Sequence, residues 1–146
     1  MTTETRKADE AEIRRLIANA SRALHDKNVD ALVAPHSPDL LTFNLAPPLR
    51  RRGIDRQSIA EWFQTWDGPI EYEVRDLEIT IGDDIAFATS LDRLAGTKVD
   101  GQKTEVWLRA TLGFRKVGGR WVLVHEHTSV PFYMDGSLRA SVDLKP

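Results

Sequence analysis

The chain has 146 residues, 41% hydrophobic and 29% charged, the usage of one soluble globular domain rather than of a disordered, collagenous or membrane protein. With 20 Lys and Arg against 22 Asp and Glu, the net charge of −2 supplies no basic field for nucleic acid or for an anionic membrane surface. Cysteine is absent, which excludes disulfides and thiolate chemistry; with a polar start and no apolar run of about 20 residues, a cytoplasmic protein is expected.

Ile13, Leu16, Ile17, Ala20 and Leu24 recur at helical spacing, and Asp9 followed by Glu12 has the form of a capping box, so a first helix is predicted over residues 9–25. Asn28 caps a short second helix over 29–34, which Pro35 and Pro38 end. Residues 40–45 read as a strand, and Pro47-Pro48 with Arg50-Arg51-Arg52-Gly53 as a solvated loop. A third helix follows, capped by Asp55 and closed by Gly68-Pro69, with Ile59, Trp62, Phe63 and Trp66 on one face.

After Pro69 the pattern alternates. Ile70, Tyr72 and Val74 share one parity and Leu77, Ile79 and Ile81 the other, so a bulge near Arg75-Asp76 is predicted. Strands over 85–94, 103–117 and 120–130, the last two joined by a Gly118-Gly119 turn, precede a polar tail that begins at Pro131. The fold class is α+β: a curled antiparallel sheet packed on three N-terminal helices, one domain over residues 1–146.

A two-residue turn pairs Val117 with Arg120, and a regular ladder from there sets Leu123 opposite Phe114, His125 opposite Leu112 and His127 opposite Ala110. His125, His127 and Ser129 then share a face with Leu108, Ala110 and Leu112, and polar groups on an apolar stripe mark the mouth of a pocket. His127 or His125 is the candidate general acid or base, because imidazole titrates near neutral pH. Asn44, Ser129 and Thr89 are placed to bond a substrate carbonyl, Arg93 to stabilise developing negative charge, and Trp62, Trp66, Phe43 and Leu112 to form the apolar wall. Trp62 and Trp66 have a second reading as a core stripe. His-x-His without a third ligand predicts no metal, and no cofactor is expected. Glu126 falls on the opposite face, diagonal to Arg109, as an ion-pair partner; Trp107, Val122 and Val124 on that face suit a homodimer.

The segments HDKNVDALVAPHSPDLLTF and GGRWVLVHEHTSVPF, with the order of elements over nearly the whole chain, resemble the nuclear transport factor 2-like fold of ketosteroid isomerases and SnoaL-type polyketide cyclases. The resemblance implies a cone-shaped α+β barrel that binds a small apolar organic ligand, and cofactor-independent proton transfer on a carbonyl compound, as in isomerases, cyclases and dehydratases. It sets the isomerase general base at or beside Asn44, the oxyanion-hole tyrosine near Ala20 and the oxyanion-hole acid within residues 109–112, and none of the three residue types is retained. The last strand also resembles the association domain of calcium/calmodulin-dependent kinases, whose pocket arginine aligns near Leu112; this implies the alternative of a non-catalytic ligand-binding or oligomerisation module.

Overall fold

In the computed structural model, which describes residues 2–146 and leaves Met1 of the predicted domain outside, helix α1 (Thr3–Asp26) begins well before Asp9. Thr2 is the cap: its hydroxyl accepts from the Thr5 N–H at 3.0 Å. Asp9 instead sits buried within the helix, bonded to Lys116 at 2.9 Å. Lys27, at φ 52°, ends α1, and Asn28 caps α2 (Val29–Val33) by accepting from the Ala31 N–H, as the sequence predicts.

Strand β1 (His36–Phe43) starts earlier than expected, and Arg51 and Arg52, read as loop, form a short strand β2 (Arg51–Arg52) against Thr42 and Leu41. Asp55 caps α3 (Arg56–Gln64) through the Ser58 N–H. The helix stops before Trp66 because Trp66 and Asp67 pair with Lys98 and Thr97, which makes Trp66 the first residue of β3 (Trp66–Ile81). Gly68-Pro69 is thus an irregularity inside a strand.

β3, β4 (Ile85–Lys98), β5 (Lys103–Val117) and β6 (Arg120–Ser129) form an antiparallel meander, and β1 joins β6 in parallel, giving the order β2-β1-β6-β5-β4-β3. The sheet is therefore mixed rather than wholly antiparallel. The bulge expected near Arg75-Asp76 is present: the register shifts between Arg75 and Glu78, and Asp76 has φ 55°. Curling brings the inner face over α1, where Ile13, Ile17, Ala88, Phe114 and Trp121 form the main core. A second cluster under α3 joins Phe63, Trp66 and Ile70.

The β5–β6 ladder departs from the predicted one. Val117 pairs with Arg120 and Phe114 with Leu123, but the next pair is Gly113 with His125, so Val124 is an extra residue. A Cβ on Gly113 would lie 3.3 Å from the Cβ of His125; the missing side chain lets the bulged strand approach. From that point every side chain of β6 changes face. The C-terminal segment is not a free polar tail either: Phe132 pairs with Ala140, and the Ser141 N–H donates to the Pro131 carbonyl at 2.8 Å.

Candidate functional site

Past the bulge Glu126, not His125, stands opposite Leu112, with Thr42 of β1 on its other side. Leu108, Ala110 and Phe114 of that face are buried, so Glu126 faces the interior of the cone. On β4 the same face continues Ala86, Ala88, Ser90, Asp92, with both alanines and Asp92 buried. Tyr72 of β3 pairs with Leu94, which sets it diagonal to Asp92. Its hydroxyl donates to Asp92 Oδ2 at 2.5 Å, and the Ser90 hydroxyl donates to Oδ1 at 2.7 Å.

Asp92 is buried and Glu126 and Tyr72 are half-buried, and among the described residues no cation pairs with either carboxyl. Burial raises the Asp92 carboxyl above its ordinary 3.8, against the opposing hydrogen bonds from Ser90 and Tyr72. Burial, then the charge of Asp92, raises Glu126 above 4.5. Burial and the charges of Asp92 and Glu126 hold the Tyr72 phenol well above its ordinary value, so it remains a donor. The two carboxyls differ in a way that separates their roles. Two hydroxyl donors favour the charged form of Asp92, whereas Glu126 carries no such donors and faces a neighbouring negative charge. Asp92 is therefore the one better held as carboxylate, and Glu126 the more readily protonated of the two.

The residues singled out in the sequence lie elsewhere. His125 and His127 are on the outer face with Gly113 and Thr111 opposite, a direct result of the bulge. The Nδ1–H of His125 donates to the Leu41 carbonyl at 2.8 Å, and Phe43 packs edge-on against both rings at 5.0 and 5.3 Å. Ser129, also outside, accepts from Arg109 Nε at 3.2 Å, so the expected Glu126–Arg109 pair is replaced. Thr89 stands outside opposite Thr111, and Arg93 bridges Glu71 and Glu105 at 3.0 and 3.1 Å. Trp62 and Trp66 meet each other at 5.9 Å within the second core cluster, as the core-stripe reading has it. Leu112 alone of these residues lies beside Glu126 on the inner face. Phe43, Asn44, His127 and Ser129 do come together, but in a crevice at the ends of β1 and β6 that none of Asp92, Glu126, Tyr72 and Ser90 lines.

The sequence reading gives Asp92, Ser90 and Tyr72 no site role and sets Glu126 on the outer face as an ion-pair partner, which the bulge corrects; two of the four carry a signal. Ser90 and Asp92 continue the parity of Ala86 and Ala88, polar groups on an apolar strand face. Among the described residues no group of three or more His, Cys, Asp and Glu is placed to hold a metal, and no described helix is long and apolar enough to cross a membrane.

A family profile of the SnoaL-like domain matches residues 13–133. An NTF2-like protein of unknown function from Pseudomonas putida KT2440 is 33% identical, with TM-score 0.82 over 96% of this chain and 98% of that one. A candidate scytalone dehydratase from Novosphingobium aromaticivorans shares the fold at 17% identity, TM-score 0.73, over 95% of each chain. So does the association domain of the C. elegans calcium/calmodulin-dependent kinase II, at 21% identity and TM-score 0.66, over 84% of this chain and 96% of that one. Among curated proteins none matches. With the profile spanning most of the chain and the Pseudomonas relative nearly all of it, the chain belongs to the SnoaL-like family of the NTF2-like superfamily.

Proposed function

We propose that the protein is a cofactor-independent enzyme that binds a small, largely apolar carbonyl compound inside the cone and moves a proton on it. The observation that carries this reading is the pair of inward carboxyls, buried Asp92 and half-buried Glu126, beside a phenol that stays protonated. Ionisable groups held away from water and from counter-charges are costly to fold around, and such arrangements concentrate where acid and base are needed. Asp92, as carboxylate, takes a proton from the carbon next to the carbonyl. Glu126, as acid, donates a hydrogen bond to the oxygen on which the electron pair arrives. Return of the proton to another carbon is isomerisation. Loss of a β-hydroxyl as water, with the proton supplied by the acid, is dehydration, the activity named for the Novosphingobium protein of the same fold.

The test is a thermal-shift panel of neutral cyclic ketones, polyketide-like aromatics and small enones, followed by turnover assays on whatever stabilises the protein. Stabilisation by a carbonyl compound that Asp92→Asn still binds but no longer converts is the expected result. A ligand bound by both proteins and converted by neither would favour the non-catalytic module.

A homodimer through the outer sheet face belongs to the same proposal. Ile85 and Phe87 are about half exposed there, and Trp107 lies under the Arg75 guanidinium at 4.6 Å, an apolar strip whose cover by a second copy removes it from water. Sedimentation at micromolar concentration is expected to give a dimer that Trp107→Glu converts to monomer. A wild-type monomer would contradict it.

A further inference from the structure

Four arginines crowd the approach to α3, and three of them are tied down. Arg51 donates to Asp55 at 2.8 Å and Arg52 to the Asp39 carbonyl at 3.2 Å, while Arg56 pairs with Asp30. Among the described residues Arg50 alone of the four has no hydrogen bond or ion pair, and it lines the crevice at the ends of β1 and β6.

That crevice is held open by ordered backbone on both sides. Loop 44–50 is closed at its base by the pairing of Leu41 with Arg52 and by the Gly53 N–H on the Leu40 carbonyl at 2.8 Å. The facing wall is the C-terminal hairpin with its Phe132–Ala140 bridge. Between them lies a volume of about 690 Å³, within the range of small-molecule sites. Its apolar walls are wet: Leu49 is 98% exposed and Phe132 59%.

Each polar side chain on the lining can donate a hydrogen bond. Besides Arg50 they include the Asn44 amide, the His127 imidazole and the hydroxyls of Thr128 and Ser129, and the Ser129 oxygen already accepts from Arg109. Among the described residues no Asp or Glu lines the crevice. One full positive charge, neutral donors and exposed hydrocarbon match a ligand with one negative charge on an apolar body. A planar carboxylate fits the guanidinium fork best.

We propose that this crevice is a second ligand site, apart from the Asp92–Glu126 pair, for a small apolar carboxylate whose ring or chain lies between loop and hairpin while Arg50 holds its charged end. The two sites have opposite requirements. The Asp92 carboxylate disfavours an anion beside it, so a carboxylate that binds the protein is directed to the crevice.

The experiment compares 1-naphthoate with 1-naphthalenemethanol, similar in shape and different in charge, by calorimetric titration of the whole chain. The acid is expected to bind about tenfold or more tightly than the alcohol, the gain of a charge-assisted contact. Arg50→Gln, at an exposed position, should bring the two within about twofold, and Asp92→Asn should leave naphthoate binding unchanged. Equal binding of acid and alcohol, no naphthoate binding, or a preference that survives Arg50→Gln would overturn the proposal. Naphthoate binding lost in Asp92→Asn would overturn it too, by placing the ligand in the cone; that outcome is read apart from turnover.

Discussion

Asp92→Asn is expected to lower turnover by about 10²–10⁴-fold, the loss typical of a removed general base, while fold and affinity for a neutral ligand stay nearly intact. Asparagine keeps the shape of the side chain and can still accept from Tyr72 or Ser90, the two donors seated on Asp92, but it takes no proton at neutral pH. Glu126→Gln is expected to cost less in an enolisation step, because its amide N–H still donates to the carbonyl oxygen, and as much as Asp92→Asn where a proton must be handed to a leaving hydroxyl. Stability should move the other way. Burial raises Glu126 in the folded state above its ordinary 4.5, so the native protein binds a proton that the unfolded chain has lost. Stability therefore falls as pH rises from that ordinary value through the raised one. Glutamine does not titrate, and thermal unfolding of Glu126→Gln should show a gain over wild type at pH 7 that is absent near pH 4. A variant that keeps full turnover as Asp92→Asn would remove Asp92 from the mechanism.

Lys116→Met is expected to cost about 3 kcal/mol, the low end for a broken buried pair, because Lys116 keeps about a quarter of its side chain in water. Its ammonium lies 2.9 Å from Asp9 Oδ1 and joins α1 to β5 at the closed end of the cone, beside the Trp121 ring. Burial would raise the Asp9 carboxyl; the Lys116 hydrogen bond, the neighbouring Trp121 and the lysine charge together bring it below 3.8. The indole N–H of Trp121 lies outside hydrogen-bond geometry and stays unpaired, as does Asp9 Oδ2, so Lys116 is the partner that matters. The stabilisation is present above the ordinary carboxylate value and is lost as pH falls through the lowered one. Without Lys116 the Asp9 charge is left buried. Urea unfolding of Asp9→Leu with Lys116→Met should recover most of the loss, since an apolar pair can replace a buried ionic one. Equal losses in single and double variants would contradict this account of the closed end.

The element order was legible because periodicity changes cleanly at Pro69 and because caps such as Asn28 and Asp55 announce themselves. The bulge at Asp76 was legible as well: Val74 and Leu77 show the parity switch that an extra residue leaves behind. The bulge at Val124 leaves no such mark. Val122, Leu123 and Val124 are apolar in succession, so a one-residue slip among them changes no pattern, and the ladder from Gly118-Gly119 runs regularly to Leu123 before it breaks. The cause lies on the other strand, in the bare Cα of Gly113. That single slip moved the site from His125 and His127 to Glu126. The parallel pairing of β1 with β6, which buries Thr42 beside Glu126 and gives His125 its carbonyl partner, joins residues far apart in sequence and has no local signal. Asp135-Gly136 was a turn signal within the supposed tail, and the hairpin there follows it.

The central claim is that Asp92 and Glu126 share the cone interior as a coupled pair, and carboxyl ¹³C titration by NMR tests it most directly, with no substrate needed. Glu126 should titrate above 4.5 in the wild type and move down in Asp92→Asn, where the neighbouring charge is gone while burial remains. A Glu126 midpoint at its ordinary value, unchanged by Asp92→Asn, would place that carboxyl in water and contradict the coupled pair.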